Sequence, residues 1–343
     1  MRKTVALISL GCAKNLINSE QMMYLLDEAG YALTDETDGA DAVVVNTCGF
    51  IDAAKSEAIE AILELGAAKA DGRIGRIVVA GCLAQRYRGE LMREMPEIDA
   101  IVGTGSYGDI VKAVCGGGGA CFVGAAGGGD ETARIVTTPS WWAYIKIAEG
   151  CGNRCAFCAI PAIRGDYRSR AEERIVDEAR ALAGRGAREL ILVAQDTTRY
   201  GTDIYGARAL TGLLGKLCAI EPVGWIRLHY MYPDAIDDAL IDAIAANSKV
   251  LNYFDIPIQH INDGILRRMN RRSSGADIRA LIGKLRSRVP GAVIRTSLIA
   301  GLPGEGEAEF EELCDFLAEY KLERAGVFAY SPEEGTPAAE MER

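Results

Sequence analysis

Histidine is almost missing from this chain: His229 and His260 are the only two among 343 residues. A lone strand histidine usually belongs to a hydrogen-bonded framework, and neither is needed here as a metal ligand. Positive charge is also in deficit, with a formal net charge of −10. Such a field repels nucleic acid and favours a basic protein partner. No run of about 18 apolar residues occurs, so no membrane-spanning helix is expected. The opening MRKTVALISLGC imitates a secretion signal, but its apolar run lasts only from Val5 to Leu10 before Lys14 and Asn15. It reads as a first β-strand. Ten cysteines in a chain without an export signal are expected to stay reduced, free for metal, in the cytoplasm.

The length fits about two domains, and 49% apolar residues can bury sizeable cores. Residues 1–115 alternate short β-branched runs (VALISL, DAVVVN, RIVVAG, DAIVG) with helical patterns at Ser19 to Gly30, Ala53 to Leu65, Gln85 to Met95 and Asp109 to Val114. That alternation predicts an α/β, doubly wound parallel sheet. CGGGGACFVGAAGGGD, from Cys115 to Asp130, has eight glycines in sixteen residues. It marks a linker over 116–138, with room for a short hairpin. A second alternation fills 139–335. AYIKIAEG, ELILVAQD, WIRLHYMY, YFDIPIQ, VIRTSLIAG and RAGVFAYS read as strands, with five helical patterns between them. Six β units predict a partial (β/α)6 barrel, open where a closed barrel would have its remaining strands. Residues 336–343 form a tail.

The unusual stretch is CGNRCAFC, in which Cys151, Cys155 and Cys158 follow the first barrel strand. Structural zinc prefers four ligands, usually in paired C-x2-C units. Inert core cysteines do not cluster beside Gly150, Gly152 and Asn153. An iron–sulfur cluster usually takes four thiolates, and three would leave one iron open to a reactant. The loop also stands at a strand C-terminal end, where barrel active sites lie. C-x3-C-x2-C with Phe157 before the last cysteine resembles the radical S-adenosylmethionine (SAM) enzymes. The resemblance implies that the open iron chelates SAM and that an electron cleaves it to a 5′-deoxyadenosyl radical, which abstracts hydrogen from carbon.

Cys12, Cys48 and Cys82 end LISLGC, VVVNTC and IVVAGC, about one βα unit apart. Ends of adjacent parallel strands converge at the crevice where open α/β sheets bind ligands, so this trio is expected to meet. The bland alternative is three separate buried cysteines. Two three-cysteine sites, one of them in an α/β domain ahead of a radical SAM barrel, resemble the methylthiotransferases. The family implies two [4Fe-4S] clusters and two SAM per turnover. One SAM supplies the radical and the other the methyl group, and the second cluster carries the sulfur. An electron donor such as flavodoxin or ferredoxin is implied as a partner.

SLGCAKNLINSE (residues 9–20), KIAEGCGNRCAFCAIPAIRGDYRSR and VAQDTTRYGTDIYG look like the RimO branch. That branch modifies the β-carbon of an aspartate in small-subunit ribosomal protein number 12, a basic protein met alone or in the ribosomal subunit. Asn18 stands where the pattern normally has Asp. Charge and motif argue against the MiaB-type tRNA branch, although the basic run Arg267 to Arg272 keeps it open. An iron–sulfur scaffold or electron carrier without SAM chemistry is the rival of another class. Family members continue into a TRAM domain, whereas this sequence ends at PAAEMER, so a truncated tail is expected.

The resemblance further implies that Gln195 holds the SAM amino group, here without the family's GGE motif. Gln259 would reach the ribose, and Ile299 and Gly301 the adenine; Glu305 stands one position late for the pattern. Arg295 could meet the SAM carboxylate or form a structural ion pair. Arg164, Arg168, Arg170 and the run Arg267 to Arg272 read as solvated surface, or else as contacts to substrate or RNA. Cys115, Cys121, Cys218 and Cys314 lack cluster spacing and read as structural. GTGSYG, Gly103 to Gly108, matches a dinucleotide fingerprint but falls in the fourth βα unit, the wrong context.

Overall fold

The computed structural model describes residues 2–124 and 133–342; within the expected linker, residues 125–132 lie outside the described residues. Two compact units emerge. One is the chain up to Thr137 together with Ile160–Gly165; the other is Thr138–Ala159 and the chain from Asp166 on.

The first unit runs β1 (Thr4–Ser9), α1 (Ala13–Glu28), β2 (Ala32–Thr34), β3 (Ala42–Thr47), α2 (Asp52–Ala70), β4 (Ile77–Gly81), α3 (Cys82–Arg86), α4 (Arg88–Glu94), β5 (Ala100–Val102), α5 (Ile110–Cys115) and β6 (Ala120–Phe122). The sheet is fully parallel, in the order β2-β1-β3-β4-β5-β6. Side chains alternate across a strand. Val43 and Val45 therefore join Ile62 and Leu65 of α2 on one face, while Val44 joins Met22 and Leu26 of α1 on the other. Burial on both faces explains the unbroken apolar run of β3.

Three expectations change here, the first being that the helix expected over Gln85 to Met95 is two, α3 and α4, broken at Tyr87. Beside the glycines the chain forms β6, a single parallel edge strand, and not a hairpin. Helix α1 begins at Ala13, not Ser19, because Lys14, Asn15 and Asn18 are buried polar residues that interrupt the apolar period.

The chain continues through β7 (Trp142–Lys146), β8 (Ala148–Glu149), α6 (Ile160–Arg164), β9 (Arg168–Ser169), α7 (Glu172–Gly184), β10 (Glu189–Val193), α8 (Leu210–Cys218), β11 (Trp225–Leu228), α9 (Asp238–Ala246), β12 (Val250–Asp255), α10 (Asp263–Arg268), α11 (Gly275–Arg288), β13 (Val293–Ala300), α12 (Glu307–Tyr320) and β14 (Arg324–Ala329). Helix α6 belongs to the first unit. The second unit's main sheet is parallel in the order β14-β13-β12-β11-β10-β7, each strand beside its sequence neighbour in the alternation. This is the partial (β/α)6 barrel expected of six consecutive β units, with β7 and β14 as its edges. The expected first strand breaks at Ile147, after which β8 pairs antiparallel with β9. Among the described residues no helix is long and apolar enough to cross a membrane.

Candidate metal centres

In the first unit, Cys12, Cys48 and Cys82 stand just past β1, β3 and β4, which are adjacent in the sheet. Cys12 is the N-cap residue of α1, its carbonyl accepting from the Leu16 N–H at 3.0 Å. Close packing draws the three turns together. A Cβ on Gly11 would lie 2.8 Å from the Cys48 Cβ, and one on Gly81 would lie 2.4 Å from Asn46 Oδ1 and 2.6 Å from the Thr47 carbonyl. Two buried asparagines lace the strand ends. Asn15 Nδ2 donates to the Leu10 and Thr47 carbonyls at 3.1 and 2.8 Å. Asn46 Nδ2 donates to the Asn15 carbonyl and to Ser19 Oγ, both at 2.8 Å.

Burial pushes the Cys48 thiol up to about 11; the Phe50 N–H opposes this, while Cys82 and Cys12 add to it. Burial also raises Cys12, but Lys14, Arg164 and the N–H groups of Asn15 and Lys14 outweigh it, and its net shift is downward. Arg164, on α6, is 1% exposed. Its guanidinium donates to Asn15 Oδ1 at 2.5 Å and to Cys82 Sγ at 3.3 Å.

In the second unit, the loop after β8 carries Cys151, Cys155 and Cys158. Its backbone is pinned by Ala156 N–H to the Met269 carbonyl and by Cys158 N–H to the Cys155 carbonyl, each at 3.0 Å. Asn153 Nδ2 donates to the buried Asp196 carboxylate at 2.8 Å, and Asn270 Nδ2 to the Arg154 carbonyl at 2.8 Å. Phe157 anchors the loop in an apolar cluster with Ile265, Met269 and Leu302, against which Cys155, Cys158 and Ile299 pack. Cys155 Sγ lies 3.5 Å from both Tyr232 Oη and an Arg271 nitrogen. Arg271 stacks 4.0 Å from the Tyr232 ring centre and donates to the Pro257 carbonyl at 2.7 Å. Burial raises the Cys151 thiol; the Asn153 N–H opposes it and Cys155 and Asp196 reinforce it.

Of the remaining expected residues, Gln195 and Gln259 follow β10 and β12, Ile299 and Gly301 stand at the end of β13, and Arg295 lies near the start of β13. Gln195 Nε2 donates to Glu149 Oε1 at 2.9 Å, and the other Glu149 oxygen pairs with Lys146 at 3.1 Å. Gln195 Oε1 is buried and has no partner among the described residues. Gln259 holds a left-handed φ of 73°, unusual for a residue with a side chain. Its N–H donates to the Ser297 carbonyl at 3.0 Å, and its carbonyl accepts from the Ile299 N–H at 2.8 Å. Glu305 accepts from the N–H groups of Gly301 and Leu302 at 2.8 and 2.9 Å. Arg295 pairs with Asp255 at 2.7 Å.

The arginines read as solvated surface divide. Arg164 and Arg271 are buried, and Arg170 bonds the Lys146 carbonyl at 2.6 Å and Glu178 at 2.7 Å. Each has found carbonyl, carboxylate, amide or thiol acceptors that replace water. Asn15 and Asp196 were not singled out as site residues from the sequence, Asn153 was noted only as part of the cysteine loop, and Arg271 only as one of the basic run Arg267 to Arg272. The GTGSYG loop is closed by Gln85, whose Oε1 accepts from the Thr104 N–H at 3.0 Å. Cys115, Cys121 and Cys314 are exposed and Cys218 is half-buried.

Among the described residues no three His, Cys, Asp or Glu side chains converge on a point fit for a single metal ion. Each trio instead offers several thiols in a partly buried wall, with an arginine donor on one sulfur. That donor set suits a polynuclear cluster, whose sulfurs accept such hydrogen bonds.

Residues 4–103 match the model of the uncharacterized protein family UPF0004, and residues 145–317 match that of the radical SAM superfamily. The chain is 51% identical over 342 residues to the ribosomal protein uS12 methylthiotransferase RimO of Pelotomaculum thermopropionicum, covering 98% of this chain and 77% of that one. It is 48% identical to the protein of the same name from Trichlorobacter lovleyi, covering 99% and 77%. Among solved structures, the radical SAM methyltransferase TsrM from Kitasatospora setae aligns with a TM-score of 0.67 at 16% identity, over 98% of this chain and 77% of that one. The cobalamin-dependent radical SAM enzyme OxsB aligns at 0.62 and 11%, over 92% and 52%. Those two likenesses show the fold alone. By its identity to the curated relatives along nearly all of its length, and by its barrel match, this chain belongs to the RimO family of methylthiotransferases within the radical SAM superfamily.

Proposed function

We propose that the chain replaces a hydrogen on the β-carbon of an aspartate in ribosomal protein uS12 with a methylthio group, using a [4Fe-4S] cluster at each cysteine trio and two SAM per turnover. The carrying observation is the pair of trios, one just past three adjacent parallel strands and the other in the loop after β8. When bound, the cluster on Cys151, Cys155 and Cys158 supplies the electron that cleaves SAM, and that on Cys12, Cys48 and Cys82 supplies the sulfur. Two SAM are consumed because hydrogen removal and methyl delivery each use one.

The chain's own residues bind and orient. The six thiols ligate as thiolates, so cluster loading displaces their protons. Gln195, fixed by Glu149, offers its buried Oε1 as an acceptor for the SAM ammonium. Gln259 is placed for the ribose hydroxyls. Gly301 and Ile299 allow close backbone and apolar approach to adenine, and Phe157 fixes the cysteine loop beneath. Arg295 would reach the SAM carboxylate only by leaving Asp255. The charge of −10 favours a basic ribosomal protein and disfavours tRNA. A flavodoxin- or ferredoxin-type donor would deliver the electron, in the cytoplasm where ribosomes work.

The test expresses this chain in a host lacking its own methylthiotransferases, followed by mass spectrometry of small-subunit ribosomal proteins and of tRNA nucleosides. A methylthio shift on uS12 is expected. A shift on tRNA alone would overturn the substrate assignment. Absence of 5′-deoxyadenosine after anaerobic reconstitution with dithionite would overturn the enzyme reading in favour of an iron–sulfur scaffold.

A further inference from the structure

The first unit holds a feature that ligand spacing does not explain. Arg164 lies on α6, a short helix just past Cys158 in sequence, yet it reaches Asn15 and Cys82 of the first unit. A guanidinium cannot shed its proton, and burying one costs several kcal/mol unless it is well paired. Arg134, the other deeply buried arginine of this unit, pairs with the Glu20 carboxylate. One nitrogen of Arg164 donates to both an amide oxygen and a sulfur. A thiolate is a far stronger acceptor for a guanidinium than a thiol, because the bond is then charge-assisted. The contact is therefore strengthened when Cys82 is deprotonated, together with whatever negative charge is ligated through it.

Asn15 fixes the aim. Its Nδ2 is committed to the Leu10 and Thr47 carbonyls, which leaves Oδ1 facing Arg164. The guanidinium is thus held by a residue that itself ties two of the three cysteine turns. A cation so fixed and donating to a ligand sulfur favours the more negative, reduced form of a cluster, because net charge and hydrogen bonds to sulfur set cluster potentials.

We propose that Arg164 is a positioning residue of the Cys12–Cys48–Cys82 site, donating to the Cys82 thiolate and raising the reduction potential of the cluster bound there. This rests on the reading that the trio holds an iron–sulfur cluster. The step concerned is the uptake of one electron by the cluster from dithionite; no bond forms or breaks, and Arg164 keeps its proton throughout.

The test uses the full chain carrying Cys151→Ala, Cys155→Ala and Cys158→Ala, so that only the first trio can load. Anaerobic reconstitution with iron and sulfide is followed by iron analysis and by a redox titration read by electron paramagnetic resonance. Arg164→Gln, Arg164→Met and Arg164→Lys are compared in that background. Loss of the charge-assisted bond is expected to disfavour reduction about tenfold in Gln and Met, about 59 mV for one electron. Lysine, which keeps the charge but not the fork, is expected to fall between them and arginine.

If the parent takes up iron and the Gln and Met variants titrate with it, the inference is wrong while the cluster reading stands. If the parent takes up no iron, the cluster reading itself fails. Should Gln and Met fold, by circular dichroism, but fail to load while lysine loads, the lysine titration decides: a potential below the parent's upholds the inference and an equal one overturns it. Loss of loading in all three variants would mark Arg164 as merely structural and overturn it.

Discussion

Gly81 is the most exacting backbone position of the first site. It has φ 97° and ψ −152°, a region that residues with a Cβ enter at a cost of roughly 1–3 kcal/mol. An added Cβ would also sit 2.4 Å from Asn46 Oδ1 and 2.6 Å from the Thr47 carbonyl. Neither neighbour yields readily. Asn46 is tied to Asn15 and Ser19, and Thr47 Oγ1 donates to the Ala80 carbonyl at 2.6 Å. Overpacking of this kind adds about 1–3 kcal/mol, so Gly81→Ala is expected to cost roughly 2–6 kcal/mol. Gly72 is the control, with φ 72° and nothing within 4 Å of an added Cβ; Gly72→Ala should cost only about 1–2 kcal/mol. Urea unfolding of the iron-free proteins, followed by circular dichroism, measures both. At a slope near 2 kcal/mol per molar, the Gly81 midpoint should fall by roughly 1–3 M. Iron uptake at the first trio should fall with it, because the turn that carries Cys82 is displaced. Equal midpoints for the two variants would refute the close-approach argument.

Glu20 is fully buried against Arg134 and also accepts from the Thr137 N–H at 2.7 Å. Glu20→Ala removes the carboxylate paired with a buried guanidinium and should destabilise the first unit by roughly 3–5 kcal/mol; a loss under about 1 kcal/mol in urea melts would contradict this. Arg271→Ala removes the bond to the Pro257 carbonyl, the contact with Cys155 Sγ and the stack on Tyr232. A loss of roughly 2–4 kcal/mol is expected in the same assay, together with slower dithionite-driven SAM cleavage; wild-type values of both would remove Arg271 from the site. Burial lowers the His260 imidazole below its ordinary 6.5, against the opposing pull of Glu305, Glu312 and Glu309. Below 6.5 the unfolded chain then binds a proton that the folded chain does not, so stability falls as pH drops through that value and levels off beneath the folded pKa. Urea midpoints from pH 8 to 5 should show that slope, and His260→Gln should flatten it; an unchanged slope in the variant would assign the effect elsewhere.

The sequence by itself determined the two parallel sheets and both cysteine trios. Strands buried on two faces must be apolar at every position, so Val43, Val44 and Val45 announce β3 without reference to partners. Cysteines just past successive strands must end on one side of a parallel sheet, since every strand points the same way. Short edge strands such as β2 and β6 carry too few residues for a period to register. The start of α1 was hidden because Lys14, Asn15 and Asn18 face inward for reasons no periodicity contains. Only the tertiary structure decided which arginines leave water. Arg164, Arg271 and Arg170 look alike in sequence as charged residues near glycines and turns. Arg164 and Arg271 are buried and Arg170 half-buried because carbonyl, amide, thiol or carboxylate acceptors offset their desolvation, and that juxtaposition exists only once the chain has folded.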